Sequence, residues 1–518
     1  MRINRIPTSH LMVVALIAVL AGVSHADQKN AAADKSRKRV GECIPLTAEQ
    51  LKHFEKHTVR VGRVRLNPIG LERVNAHRRS KGLPPLNQDD LELVPVGGEI
   101  VPASSSQTLK AASATVRTLD GEGLELPSYV DNSTLPYFPP IRMQNGGSCA
   151  SFSATYYQMT HMTALARGWN VKDPLDNTNK FSPAWTYNML NNGVDWGSTT
   201  WAAFAIQMKH GAATWAEMSP EDGLFYWSTD PAVWRRAISY RMQSYGPMYD
   251  LDTETGREAV KTLLNDGYVL NFSTYIASWQ YSTIKDDPAT TADDAFIGKD
   301  VAVWVNGSQE GHAMTIVGYC DDIWTDVNGN DVVDDGEKGA FRIANSRGDG
   351  WHDSGFIWFA YDGIGAASQV TPAPSQPSRV EGWWASRVLY SVAYPSYRPK
   401  LLAQFTANHA ARNQLYMNLG LSTTGATTPA SLWTPAMIYG HGGALAFDGT
   451  TTACDGSFVF DFTDLAPGLG ETRRFYLGTR DDAAGNPATL SAFTLIDVVH
   501  GAETVCTQTP LVVDNQSV

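Results

Sequence analysis

Apolar residues follow different patterns in successive parts of the 518-residue chain. One continuous apolar run, Leu11–Val23, lies near the N-terminus. Between about 126 and 398, helical spacing and strand-like alternation succeed one another, which is typical of a mixed domain of helices and strands. Beyond Pro399 the pattern changes to short β-rich runs separated by Gly, Asp and Asn. These runs are Leu401–Thr406, Leu415–Leu421, Ser457–Phe462, Arg473–Thr479 and Thr489–Val499. We therefore predict an α+β domain over 126–398 and an all-β sandwich over 399–518.

Residues 1–26 have the pattern of a secretory signal peptide. Arg2 and Arg5 precede the apolar run, and Ser24-His25-Ala26 follows it, so we expect cleavage after Ala26. The apolar run is shorter than the roughly 18 residues that a membrane-spanning helix needs. The sequence thus predicts a secreted or periplasmic protein with no membrane span.

Residues 27–125 have the pattern of a pro-region. Helical spacing extends from Thr47 to Lys81, with Pro68 as a break, and Gly82-Leu83-Pro84-Pro85 ends it. Its apolar anchors are Leu51, Phe54, Leu66, Leu71 and Val74. Residues 27–82 carry 14 Lys and Arg against 6 Asp and Glu, a surplus of 8 positive charges. The whole chain carries −12 and the first 26 residues +2, which leaves −22 for 83–518. This acidity argues against nucleic acid as a partner, and we hypothesise that the basic pro-region docks on the acidic body and inhibits it.

Cys149 is the first candidate for chemistry. It follows a Gly-rich turn and opens a segment in which Phe152, Tyr156 and Met159 recur at helical spacing. A thiol in the first turn of a helix has a lowered pKa and is more nucleophilic. A buried structural cysteine is the alternative. The chain has five cysteines, so at least one remains outside any disulfide, whereas pairing of Cys454 with Cys506 stays open.

Two further segments carry a histidine and an asparagine. His312 opens the apolar strand-like run that ends in Val317-Gly318-Tyr319, where an imidazole can transfer a proton to and from a thiol. Asn345 precedes a Gly-rich turn, and its carbonyl oxygen can orient an imidazole. A core histidine and a simple turn asparagine are the alternatives for these positions taken singly.

Together the segments Gln144–Ser153, Gly311–Tyr319 and Ala344–Trp351 resemble the motifs of the papain-like cysteine peptidases, in the order of that family. The resemblance covers about half the chain. It implies a two-lobed catalytic domain, with a helical lobe carrying Cys149 and a β-barrel-like lobe carrying His312 and Asn345. It also implies that Cys149 is the nucleophile, His312 the general base and acid, and Asn345 the orienting residue.

The same resemblance assigns further residues. Gln144 corresponds to the side-chain donor of the oxyanion hole, beside the backbone N–H of Cys149. Gly197 and Ser198 fall where the family binds the substrate backbone. Arg347 replaces a tryptophan that in the family covers the bond between the asparagine and the histidine.

The resemblance predicts a secreted cysteine endopeptidase acting on protein or peptide substrates, without a catalytic cofactor. One alternative is a catalytically weakened binding protein for peptide or glycan. Another is a transferase or isopeptidase that uses the same three residues.

The segment Asp326–Glu337 has the spacing of a calcium-binding loop. Oxygen-bearing side chains stand at positions 1, 3, 5, 9 and 12, and a backbone carbonyl is expected at position 7. The predicted ligands of a structural Ca²⁺ are Asp326, Asn328, Asn330, Val332, Asp334 and Glu337. The sixth position is Asp331 rather than the usual glycine, and an acidic solvated turn is the alternative.

Overall fold

A computed structural model describes residues 43–56, 58, 66–87, 91–93, 116–118, 125–375, 378–465 and 472–517. The predicted signal peptide and its cleavage site after Ala26 lie outside the described residues. The chain divides into two compact units. We call 35–180 with 243–393 the Cys149 unit, and 181–242 with 394–518 the C-terminal unit. None of the helices in the described residues combines the length and apolar character that crossing a membrane requires.

The α-helices in the described residues are α1 Ala48–Glu55, α2 Pro68–Ser80, α3 Cys149–Ser151, α4 Thr160–Arg167, α5 Pro183–Leu190, α6 Thr200–His210, α7 Pro231–Ile238 and α8 Glu254–Asn265. The strands are β1 Leu91–Leu93, β2 Val116–Thr118, β3 Tyr129–Asp131, β4 Met242–Met248, β5 Leu270–Tyr275, β6 Trp279–Thr283, β7 Asp300–Val305, β8 Gly311–Trp324, β9 Lys338–Ala344, β10 Phe356–Ala360 and β11 Val388–Ala393. They continue with β12 Leu401–His409, β13 Leu415–Thr423, β14 Ser431–Trp433, β15 Cys454–Asp461, β16 Arg473–Asp481, β17 Ala488–Asp497, β18 Ala502–Val505 and β19 Leu511–Val513.

One large sheet organises the Cys149 unit. Its strand order among the described residues is β4-β11-β5-β8-β9-β10-β7-β6, and β3 also pairs with β8. The 14-residue β8 is buried without interruption from Gly311 to Cys320. Such a continuous apolar run is expected where both faces of a strand are covered. β8 pairs antiparallel with β5 and β9. His312, its second residue, lies opposite Thr274 of β5, and the pairing with β9 begins at Thr315.

Cys149 begins one continuous helical segment. α3 is followed by a π-helical stretch, Phe152–Met159, and then by α4, and we call residues 149–167 the Cys149 helix. Every residue of the π-helical stretch is buried. Wide turns of this kind inside helices are frequent at functional sites. Gly168 ends the helix in a left-handed conformation that favours glycine.

The predicted pro-region contributes two helices to the Cys149 unit. α1 begins with a reciprocal capping box between Thr47 and Gln50, and α2 begins at Pro68, after the capping residue Asn67. Within the described part of 47–81, the predicted helical character is found in α1 and α2, and Pro68 begins α2. α2 also passes very close to the end of α8: a Cβ at Gly70 would lie 1.8 Å from Asp266 Oδ1.

The C-terminal unit contains two further sheets. β15-β12-β17-β18 form one, with β19 also paired to β17, and β14-β13-β16 form the other. The five predicted β-rich runs overlap β12, β13, β15, β16 and β17, respectively. That these sheets form a sandwich domain stays a prediction, as do the boundaries at 126 and 399. Within this unit, Arg241 makes a buried ion pair with Asp461. This pair joins the turn that follows α7 to β15.

Candidate active site

Cys149, His312 and Asn345 all lie in the Cys149 unit and are all fully buried. Cys149 and Ala150 form one buried cluster with Ala313, the residue that follows His312 on β8. The cluster therefore places the start of the Cys149 helix beside the His312 end of β8.

His312 contacts Asn345 directly. The distance between His312 Nε2 and Asn345 Oδ1 is 2.8 Å. Because an amide oxygen only accepts hydrogen bonds, Nε2 carries the hydrogen in this pair. The neutral ring then presents Nδ1 as the nitrogen that can take a proton. Burial lowers the pKa of His312 to about 4, although the Asn345 hydrogen bond opposes this shift. The imidazole is thus neutral at pH 7 in this structure.

Asn345 is held from two sides. Its Oδ1 also accepts the Ser346 backbone N–H at 2.7 Å. Its backbone oxygen accepts the hydroxyl of Tyr157 at 2.8 Å. Because Tyr157 belongs to the Cys149 helix, this bond fixes the asparagine relative to the helix that carries Cys149. Tyr157 was not predicted from the sequence, because the helical spacing there indicates Phe152, Tyr156 and Met159 instead.

A buried polar network fastens the Cys149 helix to the sheet. Ser153 Oγ lies 3.0 Å from Thr315 Oγ1 on β8 and accepts the Asn271 side-chain amide of β5 at 2.5 Å. One turn further along, the Gln158 amide donates to Leu389 O and Ser391 Oγ of β11, both at 3.1 Å. The side-chain oxygens of Gln158 and Asn271 are buried and have no hydrogen-bond partner among the described residues. The four bonds nevertheless connect the Cys149 helix to β5, β8 and β11.

Gln144 is joined to the Asn345 segment. Its backbone N–H donates to Ser346 O at 2.8 Å, and its Oε1 accepts the Ser346 hydroxyl at 2.6 Å. Its Nε2 donates to Gly146 O at 2.9 Å, inside the Gly-rich turn before Cys149. The residue predicted as an oxyanion-hole donor therefore contacts both the turn before Cys149 and the segment that carries Asn345.

A residue of the predicted pro-region lies in the same cluster as Cys149. Cys43 is buried with Cys149, Ala150 and Ala313, and Trp384 packs against them. The Cys43 backbone N–H donates to Gly311 O at 2.8 Å, immediately before His312. Glycine is required at 311 for this approach, because a Cβ there would lie 2.3 Å from Cys43 O. No motif in the sequence indicates this contact, which joins residues 268 positions apart.

Arg347 does not stand alone beside the site. Its guanidinium forms an ion pair with Glu310, two residues before His312. The position that carries tryptophan in the resembled family is thus occupied by a charged pair, half-exposed to solvent.

Gly197 and Ser198 belong to the C-terminal unit, directly before α6. Gly197 has a φ of +95°, and Ser198 is buried. Their predicted contact with the substrate backbone stays a prediction.

The side chains of the predicted calcium loop lie close together, where they make hydrogen bonds within the loop and an ion pair with Lys285. Asp326 Oδ1 accepts the backbone N–H groups of Gly329 and Asn330, and its Oδ2 lies 2.5 Å from Lys285 Nζ. Burial of Asp326 would raise its pKa, but Lys285 and the backbone donors outweigh this effect and lower it. Asp331 adopts a φ of +59°, so the non-glycine residue at the sixth position takes the left-handed conformation expected there.

The remaining predicted ligands are engaged within the loop. Asn328 and Asn330 each donate a side-chain N–H to Asp334 Oδ2 at 2.7 Å. Both carboxylate oxygens of Glu337 accept hydrogen bonds, among them those from Val327 N and Trp324 Nε1. Val332 is exposed. The donor set has the hard oxygens that calcium requires, and binding would have to displace the ammonium of Lys285 from Asp326.

Comparisons with known proteins find similar structures but no similar sequence. No protein-family model and no curated protein matches the chain. The proform of the ragweed pollen cysteine protease Amb a 11 is 17% identical with a TM-score of 0.32, over 52% of this chain and 66% of that one. The chain thus spans just under two thirds of that relative's length. Bromelain protease from Ananas comosus, in complex with the E64 inhibitor, is 16% identical with a TM-score of 0.33, over 52% and 99%. Procathepsin B from Trypanosoma congolense is 14% identical with a TM-score of 0.33, over 52% and 78%.

Proposed function

We propose that the chain is a cysteine endopeptidase that hydrolyses peptide bonds in protein or peptide substrates, and that it is made as a latent, secreted or periplasmic precursor. The observation that carries the proposal is the 2.8 Å contact between His312 Nε2 and Asn345 Oδ1. The next residue on β8, Ala313, lies in one buried cluster with Cys149. A nucleophile, a base and a group that orients the base are the three parts that this chemistry needs.

The proposed reaction begins with proton transfer from the Cys149 thiol to His312 Nδ1. The thiolate attacks the carbonyl carbon of the scissile peptide bond and forms a tetrahedral oxyanion. His312 then returns the proton to the leaving amine, and a thioester remains on Cys149. Water activated by His312 hydrolyses this thioester and restores the thiol. Asn345 holds the imidazole orientation throughout, and catalysis requires no cofactor.

In this mechanism the backbone N–H of Cys149 and the side-chain amide of Gln144 stabilise the oxyanion. Such donors contribute most when they are held in place before the reaction starts. Gln144 is anchored by three hydrogen bonds through Ser346 and Gly146. To face an oxyanion, its Nε2 would exchange the Gly146 acceptor for the substrate oxygen.

We propose that the segment around Cys43 maintains latency. It occupies the surroundings of Cys149 and hydrogen-bonds to the residue before His312, where a substrate would have to lie. α2 anchors the same pro-region, because Arg73 donates to Leu264 O and Asn265 O at the end of α8 and to the Asn132 side chain. Substrate access would therefore follow release or removal of 27–125.

A structural Ca²⁺ in the loop 326–337 remains part of the proposal. Its support is the set of oxygen side chains and the left-handed Asp331. If calorimetry finds no Ca²⁺-dependent rise in Tm that disappears in Asp326→Asn, this part of the proposal is wrong.

Turnover of an internally quenched peptide library tests the proposed activity. The full chain should gain activity when the pro-region is released, and Cys149→Ala and His312→Ala should each lose at least about a thousandfold in kcat/KM. Asp349→Asn, at an exposed position in the turn after Asn345, serves as the control with unchanged turnover. Cleavage that persists in Cys149→Ala would exclude the mechanism, whereas ligated products would identify a transferase.

A further inference from the structure

A loop outside the candidate active site brings three carboxylates together. Asp286, Asp293 and Asp294 lie between β6 and β7 in the Cys149 unit. One oxygen of each lies within 4.8 Å of the others. Asp286 and Asp294 are exposed, whereas Asp293 is fully buried.

Asp293 has a buried oxygen that none of the described residues satisfies. Its Oδ2 accepts the Asp287 backbone N–H at 2.9 Å. Its Oδ1 is inaccessible to solvent and has no hydrogen-bond partner within the described part of the chain. An ionised carboxylate is strongly destabilised by burial unless its charge is compensated. The two neighbouring carboxylates add repulsion at this short distance.

The nearby lysines compensate other acids. Lys285 pairs with Asp326 and Asp331, and Lys338 pairs with Asp287. Lys299 lies 3.0 Å from Asp353. The compensation of Asp293 is therefore expected from outside this set of lysines.

Hydrogen bonds close the base of the loop that carries the three carboxylates. Ile284 and Lys299 pair at its base, through Ile284 N–H to Lys299 O at 2.9 Å. Asp287 also forms a tight turn, because its Oδ1 accepts the Ala289 N–H at 2.9 Å. Preorganised oxygens lower the cost of gathering ligands around a cation.

We propose that Asp286, Asp293 and Asp294 bind one Ca²⁺ ion. Three carboxylates supply the hard oxygen ligands that calcium prefers, and the two exposed aspartates leave room for water to complete six to eight ligands. Mg²⁺ fits less well, since it demands near-ideal octahedral geometry and gives up water reluctantly. This site is separate from the loop 326–337 and does not depend on the proposed peptidase activity.

The two loops are also linked. Lys285 donates its backbone N–H to Trp324 O at 3.0 Å, and its side chain pairs with Asp326. A cation bound at Asp293 would stabilise the loop between β6 and β7, in which Lys285 lies. Binding is therefore expected to stabilise this end of the sheet against unfolding.

Isothermal titration of the full chain with CaCl₂ tests the site, in a Cys149→Ala background that prevents self-cleavage. The isosteric variant Asp293→Asn should lower the binding stoichiometry by one ion and remove part of the Ca²⁺-dependent rise in Tm. Asp326→Asn should leave this site intact, and Asp349→Asn should match the parent chain. Mg²⁺ at the same concentration should give at least a tenfold weaker Kd.

The exposed variant Asp286→Asn keeps the test decisive if Asp293→Asn does not fold. Asp286 lies on the surface, so its substitution leaves the buried packing unchanged and should weaken Kd for Ca²⁺ at least tenfold. An unchanged stoichiometry and Kd in Asp286→Asn, or a loss of binding confined to Asp326→Asn, would overturn the proposal.

Discussion

The hydroxyl of Tyr157 donates to the backbone oxygen of Asn345 at 2.8 Å and so connects the Cys149 helix to the residue that orients His312. Tyr157 therefore connects the two ends of the proposed catalytic set directly, in addition to the contacts of Gln144 with Ser346. Tyr157 is fully buried, and burial raises the pKa of its hydroxyl well above the ordinary value, so the hydroxyl remains a donor.

Tyr157→Phe should lower kcat about fivefold while leaving KM nearly unchanged. The lost hydrogen bond, worth about 1 kcal/mol, frees Asn345 to move relative to Cys149. Tyr156→Phe is the matched control, because the Tyr156 hydroxyl donates at a similar distance, 2.9 Å, to Pro140 O instead. Steady-state kinetics of both variants decide the point, and equal losses of kcat in the two variants would argue against positioning through Asn345.

Arg73→Ala should raise the basal peptidase activity of the full chain about tenfold or more. The substitution removes three hydrogen bonds from a charged donor that fasten α2 to the rest of the Cys149 unit, each in the range of about 1.5 to 3 kcal/mol. The control is Arg78→Ala, since Arg78 donates to Pro84 O within the pro-region itself. Basal turnover before any processing is the measurement. Equal activation by both variants, or by neither, would contradict latency through this contact.

Stability should fall as the pH drops from about 6.5 to 4. Burial lowers the pKa of both His312 and His161 to about 4 in the folded chain, below the 6.5 of an unfolded histidine. The unfolded chain therefore binds these protons first, and their contribution is complete above pH 6.5 and lost as the pH falls through this window. Each imidazole should change the unfolding free energy by about 1.4 kcal/mol per pH unit there.

Chemical denaturation at several pH values measures this dependence, with His161→Gln as the comparison. Glutamine can still donate to Gly267 O, the acceptor 2.7 Å from His161 Nε2, but it does not titrate. The unfolding free energy of His161→Gln should change less steeply with pH, by about 1.4 kcal/mol per pH unit, because one titrating imidazole is lost. An identical slope in the two proteins would refute the assignment to buried histidines.

Arg241→Ala should destabilise the C-terminal unit by about 3 to 5 kcal/mol. Arg241 Nη1 lies 2.8 Å from Asp461 Oδ2, and Asp461 is fully buried, so the substitution leaves an uncompensated buried charge. Arg235→Ala, which removes an exposed hydrogen bond to Gln404, should cost less than about 1 kcal/mol. Thermal unfolding monitored by tryptophan fluorescence compares the two, and similar melting temperatures would contradict the prediction.

Local signals predicted more of this structure than long-range ones. The helical spacing coincides with α1 and α2 in the described part of 47–81, and the β-rich runs beyond 399 coincide with strands, because each pattern depends on neighbouring residues. The motifs around His312 and Asn345 also carried enough chemistry to anticipate their contact. The position of Cys43 beside Cys149 could not be predicted, since it depends on the backbone contact between Cys43 and Gly311, which are 268 residues apart in the sequence. The convergence of Asp286 with Asp293 likewise depends on how the loop between β6 and β7 closes.

Covalent labelling of Cys149 by a thiol-specific epoxide tests the central claim most directly. Peptide mapping by mass spectrometry, on the parent chain and on Arg73→Ala, gives the labelled residue while peptide turnover is followed in parallel. We predict a single adduct at Cys149, formed faster in Arg73→Ala, with turnover falling in proportion to the labelled fraction. Turnover that continues after complete labelling of Cys149, or a peptidase-active chain in which Cys149 takes up no label, would contradict the proposed function.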